Sequence, residues 1–598
     1  MRVADYIIDF LYKNNATHIF TIAGGGAMFL NDATVSHKKI RYICHHHEQA
    51  AAMAAEAFTK TSGKLGAVMV TSGPGSTNAI TGLLEAWQNS IPCIFISSQA
   101  KTSQMAYFSN VPKLRQFGIQ ELNIIPIVQS LCKYSAIIEK PEDIRYQMEK
   151  AYDIAISKRP GPVWLDIPPD IASKTINPSQ LSGHEKKQII IKSNKEIDSQ
   201  INQLIKLLQL SKKPVIIAGG GIRLAGAVNE FIKFTNMLKI PVVVPEMGLD
   251  LLEFDNPYYV GHGGTKGQRS ANIVLQNSDL IIAIGSRLAV PFIGHEYDKF
   301  APNAKKIVVD IDKMEHLKKT IKIDLFIESN AKQFINKFSD RIISQQVKLN
   351  YNHWLSNCQK IKEKYAIYLP KIQSKLDFIN MYHLVSEISN QSKEGDIYTF
   401  DAGTTAYICS QTIKIKKDQR AIIPGATLTM GYNLPAVIGI WAAKPKSRII
   451  CITGDGSFQM NIHELQTIVH HKIPAKIFVI NNQGYLAIRT TQRNFFQSRF
   501  IGEGKNSGVS FPNTEKIAKA YGIKYFQIKN NGQLKTKVKA VLDYKNTCIC
   551  EVLCPKWQDI LTVSSKKMPD GKMISLPIDD MFPFLPEKEM AEIKQLLK

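Results

Sequence analysis

The sequence predicts an α/β protein with three doubly wound parallel-sheet domains, and two observations carry this prediction. First, helices alternate with short apolar strands through residues 1–175, where residues 67–71, 93–97 and 162–166 are typical strands. Alternation of this kind favours a parallel sheet covered by helices on both faces. Second, the same alternation returns twice in a chain of 598 residues, which is long enough for three domains of ordinary size.

The polar stretches between these units predict the domain boundaries. Residues 178–198 are polar and are typical of a linker, and a second, Lys-rich stretch lies around residues 340–375. The central unit starts with the strand and glycine turn of residues 214–221 and includes the apolar strands 280–285 and 306–310. We therefore expect a first domain over residues 1–175, a central domain over 190–340, a third domain over 376–560 and a C-terminal tail over 561–598.

The strong positive charge does not by itself indicate a nucleic-acid or membrane partner. The chain carries 75 basic and 51 acidic side chains, a formal net charge of +24. The lysines are spread along the chain, notably at residues 186–195, 305–322 and 359–375, without interleaved aromatic residues. Dispersed charge lacks the clustered patch that is typical of nucleic-acid binding. We expect no nucleic-acid partner, and no membrane partner because no apolar run approaches the length of a bilayer span.

Cysteine usage and the N-terminal residues favour a cytoplasmic protein. The nine cysteines are an odd, scattered set without the paired spacing of a zinc site. A disulfide framework is therefore less favoured than a reduced protein. Residues 1–9 are interrupted by acidic side chains and do not resemble a signal peptide.

The most informative motif joins residues 454–456, Gly-Asp-Gly, to residues 481–482, Asn-Asn, across 24 intervening residues. Each element follows a short apolar strand, one at residues 448–453 and the other at residues 475–480. Residues 457–471, between the two elements, have the apolar spacing of a helix. The motif therefore predicts a strand–helix–strand unit whose two polar elements lie at neighbouring strand ends.

This unit brings the carboxylate of Asp455 and the carboxamide of Asn482 together beside a helix N-terminus. Oxygen atoms of this kind are the ligands that a divalent cation takes, and a helix N-terminus binds diphosphate. Gly456 lets the backbone come close to a phosphate, since it has no side chain. An ordinary turn with incidental polar residues is the alternative, but the fixed spacing of the two elements favours a metal–diphosphate site.

The same pattern resembles the signature of thiamine-diphosphate enzymes. The resemblance implies that Mg²⁺ is held by Asp455, Asn482 and the backbone carbonyl of Gly484. It also implies that Met430 wedges between the two rings of thiamine diphosphate and keeps the cofactor bent. The residues that it places at the diphosphate are Gly403, Thr404, Thr405, Gly454, Gly456 and Ser457.

Glu48, which opens an alanine-rich helix after the strand 40–44, is the expected catalytic acid. Thiamine chemistry needs a carboxylic acid beside the aminopyrimidine ring, because its hydrogen bond to a ring nitrogen favours the imino tautomer that removes the thiazolium proton. For an isolated Glu at the start of a helix, stabilisation by the helix dipole would be the favoured explanation. Because the metal motif is present in the same chain, the catalytic role is favoured here. The run 45–47, His-His-His, suggests zinc, but successive strand residues point to opposite faces and do not converge on one ion.

The resemblance assigns five further residues to the pyrimidine half of the site. Gly25 lies in a glycine turn beside the thiazolium, where small residues leave room for substrate. Gln120 is expected to hydrogen-bond a substrate carbonyl or carboxylate, and His47 to line the site. Pro74 and Asn78 belong to the loop under the pyrimidine ring.

The resemblance also implies an architecture and an assembly. The three domains correspond to a pyrimidine-binding, a central FAD-binding-like and a diphosphate-binding domain. In this family the glutamate and the metal site that face one another come from different subunits. We therefore expect a homodimer or homotetramer with active sites shared between subunits.

Among thiamine-diphosphate enzymes, the chain is most similar to the acetolactate (acetohydroxyacid) synthase group, through residues 71–75, 159–163 and 454–460. That group decarboxylates pyruvate, a 2-oxo acid, and adds the remaining two-carbon unit to a second carbonyl compound. The resemblance extends to a structural, redox-silent FAD in the central domain. Its expected contacts are Gly219, Gly220, Gly221 and Arg287.

Several departures leave the acceptor open. Residues 403–406 read Gly-Thr-Thr-Ala where the synthases carry Gly-Gln-His-Gln, Ile119 replaces a Phe, and residues 288–294 lack an Asp-Asp-Arg run. With the divergent tail, these features resemble a sub-family associated with bacterial surface-polysaccharide genes. The acceptor is then either a 2-oxo acid or a nucleotide-linked keto-sugar, and the departures favour the second. The alternatives are a simple 2-oxo acid decarboxylase that releases an aldehyde and a flavin-dependent oxidase of the same fold.

Overall fold

The computed structural model describes residues 1–186, 194–367, 369 and 378–597. The middle of the predicted linker at 178–198, the end of the stretch at 340–375 and the predicted start of the third domain at 376 lie outside these described residues. Within them the chain forms three parallel sheets of six strands each. The prediction of three doubly wound α/β domains is therefore confirmed.

The first sheet lies near the N-terminus. Its strands are β1 (His18–Thr21), β2 (Arg41–Cys44), β3 (Gly66–Val70), β4 (Cys93–Ser98), β5 (Tyr134–Ile137) and β6 (Val163–Ile167). Its helices are α1 (Val3–Lys13), α2 (Met28–Ser36), α3 (Glu48–Ser62), α4 (Pro74–Asn78), α5 (Ile80–Asn89), α6 (Ile125–Val128), α7 (Ile144–Ile156) and α8 (Pro169–Ala172). The strand order is β2-β1-β3-β4-β6-β5. Strands β3, β4 and β6 are buried along their whole length, as expected for a sheet covered on both faces.

The central sheet has the order β12-β11-β10-β7-β8-β9 once its strands are numbered along the chain. These are β7 (Pro214–Ala218), β8 (Val242–Val244), β9 (Tyr259–His262), β10 (Leu280–Ile284), β11 (Lys305–Asp310) and β12 (Leu325–Glu328). The helices around it are α9 (Asn194–Leu210), α10 (Gly221–Leu224), α11 (Val228–Leu238), α12 (Arg269–Gln276), α13 (Val290–Ile293), α14 (Ala331–Ser344) and α15 (Asn352–Tyr365).

The third sheet carries the Gly-Asp-Gly motif. Its strands are β13 (Ile397–Phe400), β14 (Arg420–Ala421), β15 (Ile449–Gly454), β16 (Ala475–Asn481), β17 (Lys524–Ile528) and β18 (Cys548–Leu553), in the order β14-β13-β15-β16-β18-β17. Its helices are α16 (Met381–Gln391), α17 (Gly403–Thr412), α18 (Asn433–Ala443), α19 (Asp455–Met460), α20 (Glu464–His470), α21 (Leu486–Phe495), α22 (Thr514–Ala520) and α23 (Asn531–Asp543).

The first and third domains pack directly against each other through α3 and α18. Gly439 on α18 makes this close crossing feasible, because a Cβ atom there would lie 2.1 Å from the carbonyl oxygen of Ala54 on α3. Apolar residues of both domains form one continuous core at this interface. The helix that begins with Glu48 is therefore held rigidly against the domain that carries Asp455.

The C-terminal tail folds back onto the central domain. It contains the antiparallel pair β19 (Ser565–Lys567) and β20 (Met573–Ser575) and the helix α24 (Glu587–Leu596). Ile578 and Ile593 of the tail join the apolar core of the central domain. None of the helices in the described parts of the chain is long and apolar enough to cross a membrane.

The helix predicted over residues 457–471 is divided in two. Helix α19 ends at Met460 and α20 starts at Glu464, so the apolar spacing continues across a break. At the break, Asn461 donates a side-chain hydrogen bond to the carbonyl of Gly431, 2.8 Å away. Glu464 meanwhile bonds to the loop before α3. These long-range hydrogen bonds stabilise the break more than a continuous helix would be stabilised by its own backbone hydrogen bonds.

Candidate active site

The two polar elements of the Gly-Asp-Gly motif lie at neighbouring strand ends, as the sequence predicts. Strands β15 and β16 are parallel neighbours, and Gly454 is in register with Ile480. Asp455 therefore opens α19 beside the loop that follows β16. The backbone N–H of Gly484 in this loop donates to Asp455 Oδ2 at 3.0 Å. Asn482 is buried next to these groups.

The oxygen atoms gathered here fit a hard divalent cation. They are the Asp455 carboxylate, the Asn482 carboxamide and the backbone carbonyls of the loop 482–485, which we call the metal loop. Carboxylate, amide and carbonyl oxygens are the donor set of Mg²⁺ and Ca²⁺ rather than of zinc. Burial raises the pKa of Asp455 to about 6, although the backbone N–H groups of Gly484, Gly456 and Gln483 lower it. The carboxylate is therefore ionised near neutral pH.

The start of α17 supplies groups that fit an anion. The hydroxyl of Thr404 is buried and has no hydrogen-bond partner. Thr405 Oγ1 lies 3.7 Å from the position that a Cβ of Gly454 would occupy, so the first turn of α17 adjoins the end of β15. Gly403 faces Ala487, just beyond the metal loop. A buried hydroxyl donor at a helix N-terminus suits a phosphate oxygen.

Gly456 is required by the packing of the metal loop. A Cβ at this position would lie 2.1 Å from the ring of Tyr485. The ring of Tyr485 alone therefore requires a glycine at this position, and a close approach of Gly456 to a phosphate stays a prediction.

Ser457 and Met430 are connected through a buried aspartate that the sequence analysis missed. The Ser457 hydroxyl donates to the carboxylate of Asp401 and accepts from the backbone N–H of Gly431 at 2.8 Å. Gly431 directly follows Met430, which is half-buried. Burial raises the pKa of Asp401 to about 6. Its position just after β13 is the signal that could have identified it, since Asp455 follows β15 in the same way.

Glu48 lies in a second cluster, on the first domain. It is buried at the first position of α3, and its Oε2 accepts a hydrogen bond from Asn78 Nδ2 at 3.0 Å. His47 caps the helix by accepting from the backbone N–H of Gln49. Its two histidine neighbours in the sequence do not join it: the His45 ring contacts Glu464, and the His46 backbone N–H donates to the same carboxylate.

The other residues expected in this cluster are more exposed. Gly25, Pro74, Asn78 and Gln120 all lie at the surface of the chain. A Cβ on Gly25 would meet no atom within 4 Å, so this turn leaves open space. Gln120 is held by its backbone, which contacts the loop before α4 at Gly73.

The two clusters are connected through buried side chains and not through the residues expected to contact the cofactor. Within the described residues, no hydrogen bond joins Glu48 or Asn78 to the groups around Asp455. The connection runs instead through Glu464 of α20, whose Oε2 lies 3.0 Å from His45 Nδ1. Both side chains are fully buried. Burial alone would raise the pKa of Glu464, but the His45 contact and two further donors lower it to about 2.

The glycine run proposed for a flavin is accounted for by backbone packing. A Cβ on Gly219 or Gly221 would lie within 2.7 Å of the backbone of Gly285, where the ends of β7 and β10 meet. Gly220 faces Met247. Arg287 is half-exposed and lies 3.3 Å from a carboxylate oxygen of Glu315. These contacts are explained without a flavin, so the four residues stay a prediction for FAD binding.

Three domain models of thiamine pyrophosphate enzymes match the chain. The N-terminal TPP binding domain covers residues 1–126, the central domain covers residues 201–338 and the C-terminal TPP binding domain covers residues 401–552. Together they define the class of the protein, and they cover both clusters described above.

Individual relatives narrow this class. The acetolactate synthase large subunit of Lactococcus lactis is 32% identical over 94% of this chain and 94% of its own length. That of Buchnera aphidicola is 31% identical over 90% of this chain and 91% of its own. The isozyme 2 large subunit of Escherichia coli is 29% identical over 91% of this chain and 94% of its own. The chain therefore belongs to the acetolactate synthase large-subunit family of thiamine-pyrophosphate-dependent carboligases.

Proposed function

We propose that the protein decarboxylates a 2-oxo acid, with pyruvate as the first candidate, and transfers the remaining acyl unit to a second carbonyl compound. The observation that carries this proposal is that one chain holds both the buried Glu48 carboxyl and the oxygen cluster around Asp455. Family membership supports carboligation over the two alternatives, a simple decarboxylase and a flavin-dependent oxidase. When bound, thiamine diphosphate supplies the electron sink for the cleavage.

Asp455, Asn482 and the carbonyl of Gly484 would hold Mg²⁺. This assignment is supported by their shared position at two neighbouring strand ends and by their hard oxygen atoms. Gly484 has a φ of +139° and faces the backbone of Glu503, so the metal loop holds a conformation that side chains rarely permit.

The diphosphate would lie between the first turns of α17 and α19. The candidate contacts are Gly403, Thr404, Thr405, Gly454, Gly456 and Ser457. The orphaned hydroxyl of Thr404 supports this assignment most directly, since a buried donor without a partner is costly. Ser457 would contribute its backbone N–H, because its hydroxyl is already bonded to Asp401 and Gly431.

Glu48 would hold a proton at a nitrogen of the aminopyrimidine ring. Asn78 occupies one oxygen of its carboxyl, Oε2, and orients the group. A carboxyl in this position favours the tautomer that takes the proton from the reacting carbon. Met430 would hold the two rings in the bent arrangement that brings these groups together, while Pro74 would support the pyrimidine.

The open space at Gly25 would admit the substrate. His47 and Gln120 would face it, and Gln120 carries an amide that can donate to a carboxylate or carbonyl oxygen. Ile119, the neighbour of Gln120, is 88% exposed in the single chain. Such exposure of an apolar side chain supports the idea that another protein surface covers it at the site.

We propose that a second copy of the chain supplies that cover. The exposed residues of the Glu48 cluster and the lack of a hydrogen bond between the two described clusters support active sites shared between subunits, in a homodimer or homotetramer. Free thiols support a cytoplasmic location, since eight of the nine cysteines are buried and unpaired. A structural FAD is a separate part of the proposal, tested by the visible absorbance of the purified protein.

The acceptor is either a 2-oxo acid or a nucleotide-linked keto-sugar, and the first experiment distinguishes them. Purified protein receives thiamine diphosphate, Mg²⁺, FAD and pyruvate, with and without a keto-sugar nucleotide, and the products are analysed by mass spectrometry. Acetolactate from pyruvate alone supports the first acceptor, and a sugar product heavier by one acetyl unit supports the second. Release of acetaldehyde as the sole product would overturn the carboligase proposal for these acceptors.

A further inference from the structure

A fully buried guanidinium lies behind the metal loop. Arg489, on α21, has no exposed side-chain surface. Its Nη2 donates to the carbonyl of Gln483 at 3.0 Å, and its Nη1 lies 3.4 Å from the carbonyl of Asn482. Nη1 also donates to the carbonyl of Lys556, which follows the neighbouring strand β18. One side chain thus collects carbonyls from the metal loop and from the adjacent chain segment.

Glu503 completes this arrangement from the other side. Its carboxylate pairs with Nε of Arg489, and its carbonyl accepts from the N–H of Tyr485 at 2.9 Å. A Cβ at Gly484 would lie 2.0 Å from the Glu503 carbonyl and 2.7 Å from Nη2 of Arg489. The backbone of the metal loop is therefore pressed between Asp455 in front and the Arg489–Glu503 pair behind.

Guanidinium geometry explains why an arginine suits this position. Its planar fork offers five N–H donors in fixed directions, which a lysine ammonium lacks. Two consecutive carbonyls of the loop, those of Asn482 and Gln483, are turned towards Arg489. These two hydrogen-bonded contacts fix the peptide planes of the loop. They also fix the direction of the Asn482 side chain and of the Gly484 carbonyl. Fixing ligands before binding reduces the entropy lost when a metal arrives.

We propose that Arg489 is the positioning residue of the Mg²⁺ site, acting through the backbone of the metal loop and with Glu503 as its partner. This inference rests on the proposed function, because it requires the metal loop to bind Mg²⁺. Arg489 makes no hydrogen bond to the Asp455 carboxylate and none to Glu48. It acts by holding the loop in a ligand-ready conformation.

Metal selectivity separates positioning from a purely structural role. Mg²⁺ demands near-ideal octahedral geometry, whereas the larger Ca²⁺ accepts flexible and irregular ligand sets. Loss of a positioning residue should therefore weaken the binding of Mg²⁺ more than the binding of Ca²⁺. A residue that only stabilises the fold would lower stability without changing the ratio of the two affinities.

The test is calorimetric titration of Mg²⁺ and of Ca²⁺ into metal-free protein that has been saturated with thiamine diphosphate. Arg489→Lys keeps a charge for Glu503 but loses the fork. The double variant R489M/E503M removes both charges, so that no ion is left buried without a partner. In both we expect the Kd for Mg²⁺ to rise about tenfold or more, as is typical of an outer-shell partner, and the Kd for Ca²⁺ to rise much less.

Arg493→Met is the matched control. Arg493 lies one turn further along α21 and, like Arg489, contacts the Trp557 ring, at 4.8 Å against 5.5 Å. It pairs with Asp559 instead of with the metal loop. We expect its Mg²⁺ affinity to equal that of the wild type.

Two results would overturn the inference: an unchanged Mg²⁺ affinity in folded R489K, or equal weakening of Mg²⁺ and Ca²⁺. If the double variant does not fold, R489K alone decides. Asp455→Ala, titrated in parallel, separates this inference from the proposed function. If Asp455→Ala still binds Mg²⁺, the metal site itself is wrong; if it loses Mg²⁺ while R489K keeps it, only the role of Arg489 is wrong.

Discussion

The cluster around Asp455 and the cluster around Glu48 differ in how far one chain completes them. In the first, Asp455, Asn482 and Thr404 are buried, and both oxygens of Asp455 accept backbone hydrogen bonds. In the second, Glu48 is buried but its neighbours Asn78 and Gln120 lie at the surface. Under the proposed function, the first cluster would bind the metal and the diphosphate with groups that are already in place, and the second would form one wall of the site. We therefore expect that cofactor binding and the chemical step can be disrupted separately.

The largest expected effect comes from Glu48→Gln, which acts on the chemistry alone. The amide retains the shape and the contact to Asn78 but is a poor proton donor and acceptor for the ring. We expect turnover of pyruvate to fall by about 10² to 10⁴-fold, the usual contribution of general acid–base catalysis. Binding of thiamine diphosphate, measured by calorimetry, should remain near the wild-type value. Unchanged turnover would remove Glu48 from the mechanism.

Asp455→Ala should act on the anchoring alone. It removes the only carboxylate of the proposed Mg²⁺ ligands, so we expect Mg²⁺-dependent retention of thiamine diphosphate to weaken more than about 100-fold, beyond the loss typical of an outer-shell partner. Retention is measured as cofactor remaining after desalting in Mg²⁺. Wild-type protein treated with EDTA is the control, and full retention by the variant would refute the metal role.

Glu464→Gln should weaken the connection between the two clusters and change the response to acid. The folded pKa of Glu464 is about 2 against an ordinary 4.5. Its contribution to the free energy of unfolding is therefore complete above pH 4.5 and is lost as the pH falls towards 2. This pKa difference corresponds to about 3 kcal/mol near neutral pH. Urea unfolding at pH 7 and at pH 3 should show a smaller gap between variant and wild type at the lower pH; a constant gap would contradict the assignment.

The smallest effects should come from two threonines at opposite ends of α17. The hydroxyls of Thr404 and Thr412 are both buried without partners. Replacement by isosteric Val should stabilise the apoprotein by about 1 kcal/mol in either case, because an unsatisfied group disappears. Only Thr404→Val should weaken the binding of thiamine diphosphate, by about tenfold or less, since only Thr404 lies beside the proposed anion site. Equal cofactor affinities in the two variants would exclude a phosphate contact for Thr404.

Local sequence patterns predicted the parts of the site that depend on strand ends. A carboxylate after β15 and a carboxamide after β16 must lie close together, because parallel neighbours end at the same edge of a sheet. The prediction of one helix over residues 457–471 was wrong for the opposite reason. The contacts of Asn461 with Gly431 and of Glu464 with His45 are long-range, and the apolar spacing carries no trace of them.

Residues that act from behind the site were missed altogether. Arg489 sits in a helix of ordinary composition, and its role depends on carbonyl groups of the metal loop, of Glu503 and of Lys556. Carbonyl groups are present at every residue, so a side chain that binds them leaves no pairwise signature in the sequence. Asp401 is different, because its place after β13 could have been recognised from the pattern at Asp455.

The close packing of Gly219 and Gly221 on Gly285 has a consequence for what the glycine run can indicate about a ligand. A methyl group at these positions would collide with backbone, whatever the central domain binds. Replacement of either glycine by alanine would therefore push the ends of β7 and β10 apart. The fold alone accounts for the glycine run, so the run by itself does not indicate a bound flavin, and the visible absorbance of the purified protein decides whether one is present.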